Sequence, residues 1–366
     1  MTQARVRAVY MRGGTSRCLV FHERDLPPAG VERDYILLAA LGSPDPYGRQ
    51  LDGLGGGISS LSKACIIGPT THPGAEVDYT FAQVEVGKAH VDYTGNCGNC
   101  SSAVGPFAIE ERLIQPIEGE TLVRIHNTNT KKLIVARVPV AGSEPAVHGD
   151  FELPGVAGTG ARIALDFLDP GGAGTGSLLP TGKTREMVEG LEASLVYASI
   201  PMVFVRARDL GLAGTETPQA VDGDKALCAR LEKIRGAASH LMGIPGSAAT
   251  PKIAIVTAPV DSAALDRTRY DANTYDVLAR AISMGNCHRA FPLTSSMCLA
   301  VAARIEGTLV HECSTAKPGA DVRLGHPSGV LPLDAAVVKQ AGEYHAERVT
   351  VYRTARRLME GWVRIP

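Results

Sequence analysis

Neither sign of charge predominates in this chain: 37 Lys and Arg stand against 38 Asp and Glu, a formal net charge of −1. A nucleic-acid binder carries a basic stripe, and none is visible. The one dense basic group, Arg353, Arg356 and Arg357, reads as the solvated face of a helix. No apolar run reaches the ~18–20 residues that span a bilayer. The best stretch, Tyr35–Leu41, fits a piece of an ordinary buried helix, so no membrane partner is expected. The N-terminus has charge but no apolar h-region, and no signal peptide is expected. The eight cysteines are irregularly spaced. That excludes a disulfide framework and fits a reducing cytoplasm. Aromatic residues are only 5%, with a single tryptophan.

What is abundant is glycine, 40 of 366 residues, against a typical ~7%. It clusters at Gly13-Gly14, at Gly53 with Gly55 to Gly57, at Gly95 with Gly98, and from Gly171 to Gly176. Clustered glycine marks tight turns and places where backbone approaches a ligand closely. Apolar residues make up 45% of the chain, enough for a sizeable core and too much for disorder. The length predicts two domains of similar size.

Alternating patterns predict strands at Arg5–Tyr10, Cys18–Phe21, Ala64–Ile67, Val77–Val86, Ala89–Tyr93, Leu122–His126 and Lys132–Val140. Arg33–Leu41 has helical spacing and stops at Gly42-Ser43-Pro44. Ser101–Arg112 is apolar on nearly all sides and reads as a buried helix. The stretch from Asp166 to Thr184 reads as a loop closing the first domain. Its GTGSLLPTGKT resembles a phosphate loop, but Gly176 and Gly182 are one residue too far apart. In the second half, Leu195–Val205 and Ile253–Thr257 read as strands. Asp224–Arg235, Tyr275–Met284 and Leu293–Arg304 read as helices. Each half thus offers strands, a Gly- or Ser-rich turn and a buried helix, which suggests a duplicated α+β unit. The expected boundaries are 1–184 and 185–366, with the C-terminal segment free to pack back on the first domain.

The sharpest chemical feature is Thr94-Gly-Asn-Cys97-Gly98-Asn99-Cys100-Ser. A strand ends, a turn follows and a buried helix begins, so Cys97 sits at a helix N-terminus. There the macrodipole and free N–H groups lower a thiol pKa and attract anions. Cys97 and Cys100 also form CxxC, which leaves a redox pair as a rival reading. Cys100 itself reads as a buried structural cysteine. A zinc site needs further ligands at suitable spacing, and none is present in the sequence. The second feature is Lys63, which follows Ser62 and enters the apolar strand Ala64–Ile67. Desolvation there makes a lysine a usable general base; the plainer alternative is a surface lysine at a strand edge. Met11-Arg-Gly-Gly-Thr15-Ser16-Arg17 fits an anion cradle, and also an ordinary hairpin. His326, in Gly325-His-Pro-Ser-Gly329, is either a ligand contact or a polar filler of a turn.

At these residues the sequence resembles the PrpF-type isomerases. MRGGTS at 11–16, GSPD at 42–45, QLDGLGG at 50–56, SK at 62–63 and GNCGN at 95–99 carry the resemblance. So do AVGPFAI at 103–109, IHNTNT at 125–130, GTETP at 214–218, GHPSG at 325–329 and RTARRLMEGWV at 353–363. The resemblance spans nearly the whole chain. It implies a diaminopimelate-epimerase-like α+β fold of two similar domains, each a curved mixed sheet wrapped around a central helix, with the site in the cleft between them. The family includes 3-methylitaconate Δ-isomerase, 2-methylaconitate isomerase and 4-oxalomesaconate isomerases or tautomerases. GHPSG and GTETP lie closest to the methylitaconate branch.

The resemblance also implies cofactor-independent proton transfer on unsaturated di- or tricarboxylates, with the family cysteine falling on Cys97 and the family lysine on Lys63. Epimerases of this fold use one cysteine from each domain. Here the second domain offers Thr294, Ser295 and, too far into its helix, Cys298. That departure disfavours amino-acid racemisation. The expected chemistry is a 1,3-proton transfer that shifts a C=C bond. Lys63 and Cys97 exchange the proton in an order the sequence leaves open. Gly98 and Asn99 N–H groups steady the enolate, and Thr15, Ser16, Ser62, Thr294, Ser295 and His326 bind the remaining carboxylates. No metal or organic cofactor is expected. A keto-enol tautomerase, a thiol-exchange protein and a non-catalytic helper of an aconitase-like enzyme are the alternatives. Oligomeric state is open, a homo-oligomer included.

Overall fold

Parallel neighbours in a sheet need a crossover connection, and antiparallel ones need only a turn. That rule organises the whole chain. The computed structural model describes residues 3–172, 175–247 and 250–366. They divide into two compact units, Met1–Phe167 with Tyr352–Pro366, and Leu168–Val351.

The first unit contains β1 (Ala4–Gly13), β2 (Ser16–His22), β3 (Lys63–Pro69), β4 (Val77–Val84), β5 (Gly119–Asn127), β6 (Lys132–Ala141) and β7 (Ile163–Leu168), with the C-terminal strand Ala355–Ile365 beside β1. From the C-terminal strand to β7, successive pairs run antiparallel, antiparallel, parallel, antiparallel, parallel, antiparallel, antiparallel. The two parallel pairs are joined by helices, as they must be. Helix α1 (Val31–Leu41) links β2 to β3, and α2 (Gly98–Glu110) links β4 to β5.

The second unit contains β8 (Glu186–Val188), β9 (Leu191–Ala198), β10 (Ile200–Arg206), β11 (Lys252–Thr257), β12 (Val277–Ser283), β13 (Val322–His326), β14 (Gly329–Gln340) and β15 (Glu343–Arg353). Its pairs follow the same order of polarities. Helix α3 (Lys225–Leu241) makes the first parallel crossover and α4 (Leu293–Ala302) the second. The order of the main strands and crossover helices is therefore repeated.

The two crossover helices of the first unit lie on opposite faces of its sheet. In the first unit α1 places Leu37, Ala40 and Leu41 in one apolar cluster with Val6, Ala8, Leu19, Phe21 and Ile66. Its acidic first turn (Glu32, Asp34) suits the macrodipole, and Gly42 ends it in the left-handed conformation. Helix α2 is buried from Cys100 to Ile109 and lies against β1, β2, β3, β4, β5, β6 and the C-terminal strand. Such all-round burial demands small residues. A Cβ on Gly105 would stand 2.6 Å from Val138 Cγ2. Full burial of Phe107 or Ile109 stabilises the unit by roughly 1.5–3 kcal/mol each.

Four expectations are corrected. Tyr275–Met284 is not helical: Val277–Ser283 is strand β12, hydrogen-bonded between β11 and β13. Its run Val-Leu-Ala-Arg-Ala-Ile is buried throughout, and a run buried on both faces has no alternation to distinguish it from a helix. Leu195–Val205 is not one strand: it turns at Ser199, at φ 64°, between β9 and β10. Arg353, Arg356 and Arg357 lie on strand backbone rather than a helix face, and Arg353 is buried. The stretch from Asp166 begins inside β7 rather than in a loop. Of the glycine run 171–176, residues 173 and 174 lie outside the described residues.

Candidate active site

The start of α2 is built by the turn that precedes it. Asn129 Nδ2 donates to Phe81 O and Tyr93 O, and its Oδ1 accepts from Phe81 N–H, clamping β4 to the turn. Asn127 Oδ1 accepts from Thr130 N–H and its hydroxyl. The asparagines of the IHNTNT segment are thus framework. The chain then enters α2 with Cys97 as N-cap, at φ −114° and ψ 101°, with no side-chain cap. Gly98 and Asn99 are the first helical residues, so their N–H groups have no intrahelical acceptor.

Cys97 is partly buried. Its thiol pKa is pushed well above the usual value by a side-chain hydrogen bond with Cys100 and by burial, while the Lys63 charge and the Cys100 N–H pull the other way. The thiolate expected from the helix dipole alone is therefore corrected: the resting group is a thiol. The hydrogen bond with Cys100, and then burial, outweighs the groups that favour the thiolate.

Lys63 opens β3 directly opposite Gln83 of β4. Its Nζ donates to Gln83 Oε1 and stands 5.0 Å from the centre of the Phe81 ring. Gln83 Nε2 is itself tied to Ser59 O and Ser62 O. The ammonium is thus held in place, 8% exposed, within electrostatic reach of Cys97. Ser62, expected to contact substrate, is a framework residue. It is fully buried, its hydroxyl donates to Val84 O, and its oxygen accepts from Gln50 Nε2.

Thr15 is exposed at the β1–β2 turn, and its Oγ1 accepts from Asn99 Nδ2 at 3.1 Å. Ser16 is buried at the start of β2, paired with Gly13. The turn lies tight against α2. A Cβ on Gly13 would meet Asn99 O at 2.6 Å, so only glycine fits. On its other amide atom Asn99 carries Arg353: Nε donates to Oδ1 at 2.9 Å, and Nη1 donates to Tyr352 O at 2.7 Å. Arg353 is 5% exposed and, among the described residues, pairs with no carboxylate. Burial lowers its pKa to about 10, and Cys97 acts in the opposite sense. A buried, protonated guanidinium without an anion is a receptor for one.

Lys63, Cys97, Gly98, Asn99, Thr15 and Ser16 all belong to the first unit. Thr294, Ser295 and His326 belong to the second. There Thr294 is exposed and Ser295 buried at the start of α4, and Ser295 Oγ has no hydrogen-bond partner among the described residues. His326 ends β13 with its Nδ1 accepting from Ser328 N–H at 3.1 Å. That leaves Nε2 as the protonated nitrogen. Burial, then the Arg280 charge, lowers its pKa to about 4, so the ring is neutral near pH 7.

Sequence reasoning missed Gln83, Phe81 and Arg353. The register of β3 against β4 would have found the first. Arg353 sits in a motif that the resemblance included, without a role. Three sulfurs, of Cys18, Cys65 and Cys100, also come within 4.8 Å of one another from three different elements. They are buried, and side-chain hydrogen bonds with Cys100 and Cys65 hold Cys18 well above the usual thiol pKa. Cys18 thus packs as a small hydrophobe.

Residues 3–366 match the PrpF protein family. The chain is 40% identical over 387 residues to the 2-methyl-aconitate isomerase of Shewanella oneidensis, covering 100% of this chain and 98% of that protein. It is 41% identical over 375 residues to the 3-methylitaconate isomerase of Eubacterium barkeri, covering 99% and 97%. Its structure is similar to a crystal structure of a methylitaconate-delta-isomerase, with TM-score 0.93 and 40% identity over 100% of this chain and 96% of that one. A hydroxyproline epimerase from Agrobacterium vitis shares the fold at 14% identity, with TM-score 0.51 over 98% and 92%. Similarity of this extent, over both units, makes this chain a member of the PrpF family of isomerases.

Proposed function

We propose that this isomerase moves a C=C bond within a small unsaturated di- or tricarboxylate of the methylitaconate or methylaconitate kind, by 1,3-proton transfer between Lys63 and Cys97. The names of its relatives support the substrate class. One observation carries the reading: Cys97 caps the open N-terminus of α2, and Asn99 in the first turn holds a buried guanidinium that pairs with no carboxylate among the described residues.

Lys63 first gives its ammonium proton to solvent, and the neutral amine then takes the allylic proton. The electron pair delocalises through the alkene onto a carboxylate oxygen, giving an enolate. Gly98 and Asn99 N–H groups and the α2 dipole stabilise that oxygen more than the ground state. Cys97, held as a thiol, returns a proton at the far end of the allyl unit, and the double bond lies one carbon along. Exchange with solvent resets both groups, so the cycle needs no redox partner and no cofactor. Arg353 binds a spectator carboxylate, with Thr15 and Ser16 as further donors. Each unit is taken as one epimerase-like domain, its curved sheet wrapped around α2 or α4.

Proton NMR in D₂O with methylitaconate, methylaconitate and oxalomesaconate tests this. The expected result is deuterium entering one acid as its double bond moves, with loss of both in Lys63→Met and in Cys97→Ser. Migration persisting in either variant, or no exchange by the wild type with any of the three, overturns it.

A further inference from the structure

On the face of the first sheet away from α2, three arginines stand in register across three strands. Arg12 of β1 is directly opposite Arg17 of β2 on one side and Arg356 of the C-terminal strand on the other. Their neighbours show which face this is. Met11 and Cys18, one residue along, are buried on the α2 side. Leu19 and Ala8, an even number of residues from Arg17 and Arg12, are in the α1 cluster. The three guanidinium groups therefore continue the α1 face beyond the cover of that helix.

Like charges directly opposite one another destabilise a sheet, and here two such pairs run in succession. Two nearby arginines of this unit are neutralised. Arg357, next to Arg356, pairs with Glu110 and Glu111, and Arg7 pairs with Glu111. Arg12, Arg17 and Arg356 have no carboxylate partner among the described residues. Burial and then the Arg356 charge lower the pKa of Arg12. All three line a cavity of about 400 Å³. The segment that carries the short hairpin of Phe151–Glu152 with Thr159–Gly160 roofs it, adding His148 and Phe151. Among the described residues no acidic one lines it.

We infer that this cavity is a second anion site, which takes a compact oxyanion carrying at least two charges, carboxylate or phosphate. Guanidinium forks suit both groups. Strands about 4.8 Å apart place the outer two arginines about 10 Å apart at the backbone, a row that suits a multiply charged ligand better than one halide ion. The volume fits a small molecule. Arg17 is steadied over the Tyr10 ring at 5.5 Å. Arg12 Nη1 donates to both Gly14 O and Thr354 O, so the centre of the row is already fixed in place. The inference does not depend on the roles of Lys63 and Cys97.

Calorimetric titration at constant ionic strength tests it, with tricarballylate, a saturated acid that cannot be isomerised, and with inorganic pyrophosphate. The full-length wild type is compared with Arg356→Gln and Arg17→Gln. The expected result is at least a tenfold weaker site in both variants for one or both anions. Loss for tricarballylate alone assigns a polycarboxylate, loss for pyrophosphate alone a phosphate compound, and loss for both a site that does not discriminate. Thermal melting separates binding from folding. Without anion, Arg356→Gln melts no lower than wild type, because it removes repulsion, and it gains less than wild type when the anion is added. Wild-type affinity and stoichiometry in both variants, or no binding of either anion by the wild type, overturns the inference.

Discussion

Asn99 and Arg353, 254 residues apart, share a hydrogen bond of 2.9 Å from guanidinium Nε to amide Oδ1. The same amide donates to Thr15 through its Nδ2. One side chain at the start of α2 thus orients both a buried cation and the β1–β2 turn. Arg353→Gln removes the cation and keeps a polar group. The expected outcome is a KM raised by roughly 10–100-fold, the scale of about 1.5–3 kcal/mol for a charged hydrogen bond, with kcat less affected. Steady-state kinetics on the acid identified by NMR check it. An unchanged KM removes Arg353 from the site.

Gln83 holds Lys63 without offering it a charge. Gln83→Leu keeps the approximate shape and deletes the acceptor. We expect kcat to fall by about 10–100-fold with a much smaller change in KM, since the lysine is mispositioned rather than removed. Lys63→Met in the same assay sets the floor. Equal activity of Gln83→Leu and wild type contradicts the positioning role.

Cys100 separates the proton-transfer reading from thiol exchange. A redox pair loses everything with Cys100. Proton transfer predicts that Cys100→Ala retains turnover. Because the hydrogen bond with Cys100 is the largest cause of the raised Cys97 pKa, its removal lowers that pKa. The alkaline limb of the rate profile, where the Cys97 acid is lost, then moves to lower pH. Abolished activity with a normal melting temperature favours thiol exchange.

His326 makes stability depend on pH. Its folded pKa of about 4 lies below the usual histidine value of 6.5, so the unfolded chain binds the proton first. The stability that the neutral ring contributes is complete above about pH 6.5. It is lost as pH falls from there through 4, reaching about 3 kcal/mol at full expression. Urea unfolding of wild type and His326→Gln between pH 7 and pH 4 checks the sign. The variant is expected to lose less stability over that window.

Much of the site's location was legible locally. The glycine and asparagine turn after Tyr93, followed by a run of small residues, places Cys97 at the head of a buried helix, and the structure has it as the N-cap. Lys63 at the entry to an apolar strand was legible in the same way. The thiol's protonation was not, because it depends on Cys100 and on burial in the core rather than on position along the helix. Ser62 illustrates the converse. A serine beside a candidate lysine reads as a ligand contact, yet its hydroxyl is committed to Val84 O and Gln50.

By itself the sequence determined the local order of elements in the first unit, where half-buried strands alternate and turns carry glycine. It determined the family too, through short motifs spread over the whole chain. Only the tertiary structure decided that 277–283 is a strand, because burial on both faces erases the alternation that would announce one. It also decided that Arg353 reaches Asn99 and that Arg12, Arg17 and Arg356 stand side by side. Those neighbours are set by the register of strands distant in sequence, and no local pattern encodes which residue a strand will face.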